Sequence, residues 1–237
     1  MIRIRVSRLA LFAVTLLVAC ASYVDQRTED ALREALPRLV GPAERYDVTV
    51  RGADAGGSRV AEVRAVGIRV QRAGAPVLTR IDVNLADVVV DRTERRVTSI
   101  GRAAIALHLH EQDLTEFLRR QEWVESATVR FSGSDEITIA GRLGVRGLSA
   151  LSSPRAELHG RLVPRGAQLL LRIDAIRLGD GTAPPLVRRI LEQTLNPIFD
   201  AASHAVPSQL DSVEAGGGAL VIRASGSDLS LRRAAPR

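Results

Sequence analysis

The chain has 237 residues, 46% of them hydrophobic, which is enough for one large domain or two small ones with a real core and argues against disorder. Its net charge of +6 sits at the ends: Arg3, Arg5, Arg8, Arg232, Arg233 and Arg237 are six of 33 basic residues, and the remaining 27 face 27 acidic ones. A neutral body with 3% aromatic residues offers neither the phosphate attraction nor the stacking platforms of a nucleic-acid binder, so nucleic acid is not expected as a partner. Every basic residue is arginine; the chain has no lysine.

Residues 1–20 read as a targeting segment. Three arginines precede the apolar run Leu9 to Ala21, broken only by Thr15, which is the pattern of a secretory signal and is short for a bilayer span. The run ends in Leu17-Val18-Ala19-Cys20, which resembles a bacterial lipobox. Cys20 is the only cysteine, so an intramolecular disulfide is excluded and lipidation gives the thiol a specific use. Ordinary cleavage near Ala19-Cys20-Ala21 and an uncleaved anchor are the alternatives. All three put the following domain, residues 21–231, outside the cytoplasm, with 232–237 as a basic tail.

Asp25 to Val40 reads as a helix, with Ala31, Leu32, Ala35, Leu36, Leu39 and Val40 on one stripe and Gly41-Pro42 ending it. From Tyr46 the period changes to two. Strands are expected over 46–52, 59–74, 76–91 and 95–110, and a short amphipathic helix follows over 111–121 with Leu114, Phe117 and Leu118 inward. Strands resume over 126–133, 136–147, 154–166 and 168–179, and after 183–207 come a return strand near Leu210, a turn at Gly216-Gly217-Gly218 and a last strand over 219–226.

The stretch from Ala183 to Pro207 is expected to organise the rest. Pro184 and Pro185 suit a first helical turn, and Leu186, Val187, Ile190, Leu191, Leu195, Ile198, Phe199 and Ala202 recur at helical spacing. Pro197 predicts a kink or a break into two helices. The fold class is therefore α+β: a long, strongly curved antiparallel sheet wrapped around apolar helices, a half-open tube suited to lipid. Acyl chains would lie against Leu186, Ile190, Leu195, Ile198, Phe199, Leu114 and Phe117, with Arg188 and Arg189 as candidate headgroup contacts.

No catalytic residue stands out. Gly133-Ser134 and Gly226-Ser227 lack the second glycine of a nucleophile elbow, and no phosphate-binding or dinucleotide fingerprint occurs. His108 and His110 share a strand face and, with Glu111 or His159, offer two-His-one-carboxylate chemistry, but a pair of solvent-facing histidines at a strand end is the simpler reading. No metal and no cofactor is expected. Trp123, beside Arg119 and Arg120, suits either a membrane-facing mouth or a packed loop.

The order of pieces resembles the LmeA-like phospholipid-binding family, bacterial extracytoplasmic proteins similar to tubular lipid-binding (TULIP) domains. The matching residues are His108 to Leu118, the strands through Gly141 and Gly160, and Leu195-Asn196-Pro197 followed by Val206-Pro207. Thr115 stands where the family often has Asn. The resemblance implies non-catalytic binding or transfer of a phospholipid or lipid-linked intermediate in the cell envelope, with the membrane as partner through lipidated Cys20. A structural or interaction lipoprotein with a filled core is the alternative.

Overall fold

The computed structural model describes residues 24–54, 56–72, 74–91, 93–94, 96–122, 124–143, 155–201 and 209–231. Helix α1 spans residues 24–39. Four long strands follow: β1 (Arg45–Ala53), β2 (Arg59–Val70), β3 (Leu78–Asp91) and β4 (Arg96–His110). After α2 (Glu111–Arg119) come β5 (Val124–Ser132), β6 (Glu136–Leu143), β7 (Arg155–Arg165), β8 (Gln168–Leu178) and the short β9 (Gly181–Thr182). Helix α3 (Pro185–Leu195), β10 (Phe199–Asp200), β11 (Gln209–Gly216) and β12 (Ala219–Ser230) complete the chain.

The class is α+β, with antiparallel pairing throughout, but the strands form two sheets where one was expected. The first has the order β1-β2-β3-β4-β12-β11 and the second β10-β8-β7-β6-β5, with β9 on β8. The hinge between them in sequence is α2, which carries the chain from β4 of one sheet to β5 of the other. In space, β11 joins them: the Leu210 amide donates to the Gly166 carbonyl in the β7–β8 turn, and the Ala215 amide donates to the Ser134 carbonyl in the β5–β6 turn. Inward side chains of both sheets belong to a single hydrophobic cluster, from Val60, Val63 and Val88 to Leu162, Leu169 and Leu171.

One line of interruptions in the alternation crosses the first sheet. Buried positions in β3 run Ile81, Val83, Leu85 and then Val88, Val90; in β4 they pass from Ile100 to Ala103, in β2 from Val60 to Val63, and in β12 from Ala224 to Leu229. Each slip spans two or more residues, and the flanking register aligns one residue from each of five strands in a row: Gly52, Ala61, Asp87, Gly101 and Asp228. Gly52, Asp87 and Asp228, on alternate strands of this row, have φ of 69°, 56° and 51°. A residue with positive φ turns the following side chain to the other side, so each strand keeps an apolar inner face on both sides of the row. Between them Gly101 must be small, since a Cβ there would lie 2.8 Å from the Asp87 Cβ.

The stretch 183–207 is not the organiser that its periodicity suggested. Helix α3 ends at Leu195; the Asn196–Pro197 bond is cis, and Phe199 continues as strand, pairing with Leu169 of β8. Among the described side chains of α3 none is fully buried, and the core is built from strands, with contributions from Leu32 and Leu36 of α1 and Leu114 and Leu118 of α2. Pro197 does break the helix, and the backbone after it finds its partners in a strand edge: the Ile198 amide donates to the Leu169 carbonyl. Ala202 to Pro207 lie outside the described residues, as do Cys20, Trp123 and the basic tail.

Helix α1 closes the β1 edge and is tied at its end. The Val50 amide donates to Glu29 Oε1 at 3.0 Å and the Ala53 amide to Asp25 Oδ1 at 3.2 Å. Arg72 Nε donates to the Val40 carbonyl at 2.7 Å, and the Tyr46 hydroxyl donates to the Gly41 carbonyl at 2.6 Å. Burial pushes the Tyr46 hydroxyl up to about 12, against a smaller opposing effect of the Arg72 charge. An unfolded tyrosine ionises near pH 10, so the folded protein holds the extra proton; stability is full below pH ~10 and falls as pH rises toward about 12. With no lysine in the chain, few other groups titrate in that window. Thermal melts from pH ~9 to ~12 should show a steeper loss in the wild type than in Tyr46→Phe, and parallel curves would contradict the assignment.

Candidate functional site

Helices α2 and α3 stand at opposite edges of the second sheet, and each is held there by side chains spaced four apart. On α2, Glu111 Oε1 accepts the Phe131 amide at 2.6 Å, Thr115 Oγ1 accepts the Val129 amide at 2.9 Å, and Arg119 Nε donates to the Ala127 carbonyl at 2.9 Å. On α3, Glu192 Oε1 accepts the Ile173 amide at 2.9 Å. One turn on, Asn196 uses both ends of its amide on Leu171, with Oδ1 accepting from N at 2.6 Å and Nδ2 donating to O at 2.9 Å. Both helices thus run along a strand edge whose backbone groups would otherwise lack partners.

Between the two helices, the inner face of the sheet carries an apolar trough. Leu118 of α2 forms one wall and Leu191 and Leu195 of α3 the other; Ala127, Ile139, Leu158 and Ile176 of β5 to β8 lie between them. The floor includes small residues, Ser126, Gly141 and Ala156, and Gly141 is required there because a Cβ would fall 2.0 Å from the Ser126 carbonyl oxygen. The unfilled volume is about 50 Å³. Its two walls are unequal: Leu114, Thr115 and Leu118 anchor α2 in the core, while none of the described side chains of α3 is buried to that degree.

The residues singled out in the sequence do not form one site. Leu195 lines the trough. Leu114 is core, at 5% exposure, and Phe117 packs half-buried against the core without lining the trough. Ile198 and Phe199, being past the helix end, line a separate groove of about 250 Å³ with Val40, Val70, Arg72 and Leu78. Leu186 and Ile190 are 64% and 52% exposed, on the outside of α3, because the helix seats on its Val187–Leu191–Leu195 stripe. Arg188 and Arg189 are exposed on the same helix. Leu118, Leu191, Ile139, Leu158 and Ile176 were legible only as core positions; their signal is that they face one another across a sheet, which no local period carries.

A larger hollow lies elsewhere. A groove of about 1190 Å³ lies beside the row of alternation slips in the first sheet, lined by Ala61, Leu85, Ala86, Ala103, Ala104, Ala167 and Leu229 together with the polar Glu62, Asn84, Arg102, Gln209, Ser225 and Ser227. The histidines are also dispersed. His108 Nε2 lies 2.9 Å from Asp82 Oδ2, and a hydrogen bond from Arg80, with the charges of Arg80 and His108 beside it, holds the Asp82 carboxyl below the usual carboxylate range. His110 precedes α2, Glu111 is taken by the Phe131 amide, and His159 sits in the other sheet beside Thr138. Among the described residues no group of three or more His, Cys, Asp or Glu is placed to hold a metal.

The trough between the two helices is apolar, and comparison with known families gives a class of ligand. A family model described as LmeA-like phospholipid-binding matches residues 17–225. The chain belongs to that family. A phospholipid-binding family makes lipid the supported class of ligand. No curated protein matches the chain, and no solved structure matches it. Within the LmeA-like pattern, the position of Thr115 and the Asn196-Pro197 pair acquire a structural meaning here: both polar side chains bond a sheet edge, and an Asn at 115 would present the same kind of acceptor.

Thr115→Val should leave the buried Val129 amide without an acceptor and cost about 1–3 kcal/mol, seen as a lower urea midpoint, while Thr115→Asn should recover most of the loss. Equal midpoints for Thr115→Val and wild type would show that the bond contributes nothing.

Proposed function

We propose that this protein is a non-catalytic phospholipid carrier of the bacterial cell envelope, tethered to the membrane through lipidated Cys20, that holds acyl chains in the trough between α2 and α3. The observation that carries the reading is the trough itself: apolar walls from two helices above a floor of small residues, in a chain of a phospholipid-binding family. Binding is largely acyl-chain burial, about 0.8 kcal/mol per methylene removed from water. A chain is admitted by displacement of α3, the wall whose described side chains are less deeply buried and therefore the cheaper one to move. The ligand is a phospholipid or a lipid-linked envelope intermediate, and transfer between membranes is the natural use of a mobile wall.

The small volume, about 50 Å³, favours a second reading, an envelope lipoprotein with a filled core and no ligand. Native mass spectrometry of protein purified from envelope membranes separates the two. The carrier reading expects bound phospholipid in the wild type, its loss in Leu191→Asp and Leu195→Asp with the fold retained, and no loss in Ile190→Asp, whose side chain is already in solvent. In Leu114→Asp a buried unpaired carboxylate, costing several kcal/mol against a total stability of about 5–15, should unfold the domain. A wild type that never carries lipid would establish the filled-core reading instead.

The tether is tested separately. Cys20→Ser should release the protein from the membrane fraction or stop its processing; unchanged partitioning and an unchanged mature N-terminus would remove lipidation from the account.

A further inference from the structure

Helix α2 is bonded to its strand edge along its whole length, through Glu111 at its first residue, Thr115 in the middle and Arg119 at its last. Helix α3 is bonded toward its C-terminal end. Among the described residues, its side-chain bonds to β8 begin at Glu192, in the last turn, and end at Asn196, where both ends of the amide meet Leu171. Beyond Asn196 the attachment continues: the Ile198 amide donates to the Leu169 carbonyl, Phe199 and Asp200 pair with Leu169 and Gln168, and the Ala201 amide donates to the Ala167 carbonyl. Burial follows the same gradient. From Pro184 to Ile190 every side chain except Val187 is exposed, whereas Leu191, Glu192, Leu195 and Asn196 are half-buried.

The N-terminal end has a short attachment. Residues 179–183 lead from the end of β8 into the helix and return along β8 as the two-residue β9, with Gly181 opposite Leu178, Thr182 opposite Arg177, and the Ala183 amide on the Ile176 carbonyl. Gly179 to Thr182 are all exposed. Few bonds and little buried surface make this the part of the β8 edge that opens most cheaply. Once free, five residues reach about 17 Å, so the first turn of α3 can lift clear of the sheet while Asn196 stays bonded.

We infer that α3 is a lid that opens from one end: Asn196 and the strand behind it are the pivot, residues 179–183 are a strap that peels from β8, and the bond from the Ile173 amide to Glu192 is the latch. Opening lifts Leu191 out of the trough and uncovers Ile176, while Leu195, next to the pivot, stays. The mouth of the trough is therefore at the Pro185 end of α3. This rests on the carrier reading only for what the mouth admits; the motion follows from how the bonds are distributed.

Hydrogen exchange reads the motion without lipid. In the wild type the Ile173 amide should be protected about tenfold less than the Leu171 amide, because the latch opens with the lid and the pivot does not. Because Cys20 is the only cysteine, the full chain carrying Cys20→Ser accepts designed disulfides. Cα partners on antiparallel strands stand about 4.5–5.5 Å apart, which a disulfide spans. Arg177→Cys with Thr182→Cys ties down the strap, and Gln168→Cys with Asp200→Cys ties the pivot; both are Cα partners in the register. Oxidising the strap pair should raise Ile173 protection to that of Leu171 and stop uptake of fluorescent phosphatidylglycerol from vesicles, and reduction should restore both. Oxidising the pivot pair should change neither. Equal protection of Ile173 and Leu171 in the wild type, or an Ile173 amide indifferent to the strap disulfide, overturns the one-ended lid. So does a pivot disulfide that raises Ile173 protection as much as the strap disulfide. Exchange as expected in a protein that never takes up lipid keeps the lid and refutes the carrier; uptake unchanged by the strap disulfide keeps the carrier and refutes the mouth.

Discussion

A strand at the edge of a sheet leaves every second amide without a partner, and in this chain helices supply the missing acceptors. Four residues of helix advance about 6.0 Å and two residues of strand about 6.6 Å, so side chains at i and i+4 can serve successive outward amides of the edge. Glu111 and Thr115 do so for Phe131 and Val129, and Glu192 and Asn196 for Ile173 and Leu171. Asp25 and Glu29 serve Ala53 and Val50, where the strand step is three because the alternation slips at Gly52. Each polar row fixes a helix parallel to an edge and thereby decides which way its apolar side faces. Everything said of the trough follows from this, since α2 and α3 are placed at opposite edges of one sheet with Leu118 and Leu191 turned toward each other.

The same constraint explains why the two walls differ. On α2 the row of edge bonds lies beside a stripe that is buried in the core, so helix and sheet are fixed together. Helix α3 has the edge bonds but a shallow seat, and its apolar surplus is left outside. Its position depends on Glu192 and Asn196 together with the partly buried Val187, Leu191 and Leu195, a shallower seat than that of α2 and so the one that opens at lower cost.

Much of this was visible in the order of residues. Strand positions followed from alternation, and the α2 segment from Leu114, Phe117 and Leu118. The two-sheet division was not visible, because both sheets show the same period and the chain passes between them through α2 with no break in composition. The slips at Val60–Val63, Leu85–Val88 and Ile100–Ala103 were present as faults in the pattern, but their meaning lies in the register that aligns them. The overreading of 183–207 has a specific cause. Apolar residues at helical spacing continue past Asn196 into Ile198 and Phe199, while the backbone leaves the helix because Asn196 is engaged with Leu171 and the proline cannot donate. Periodicity also could not say that Leu186 and Ile190 stay outside, since a seat narrower than the apolar arc is a property of the sheet beneath.

The most direct test of the account is where a lipid touches the protein. A phospholipid with a diazirine near the end of one acyl chain, incorporated and photolysed in the purified protein, should mark peptides containing Leu118, Leu191 and Leu195. Marks confined to the groove of Ile198, Phe199 and Arg72, or to the open groove of the first sheet, would contradict the trough between α2 and α3 as the binding site.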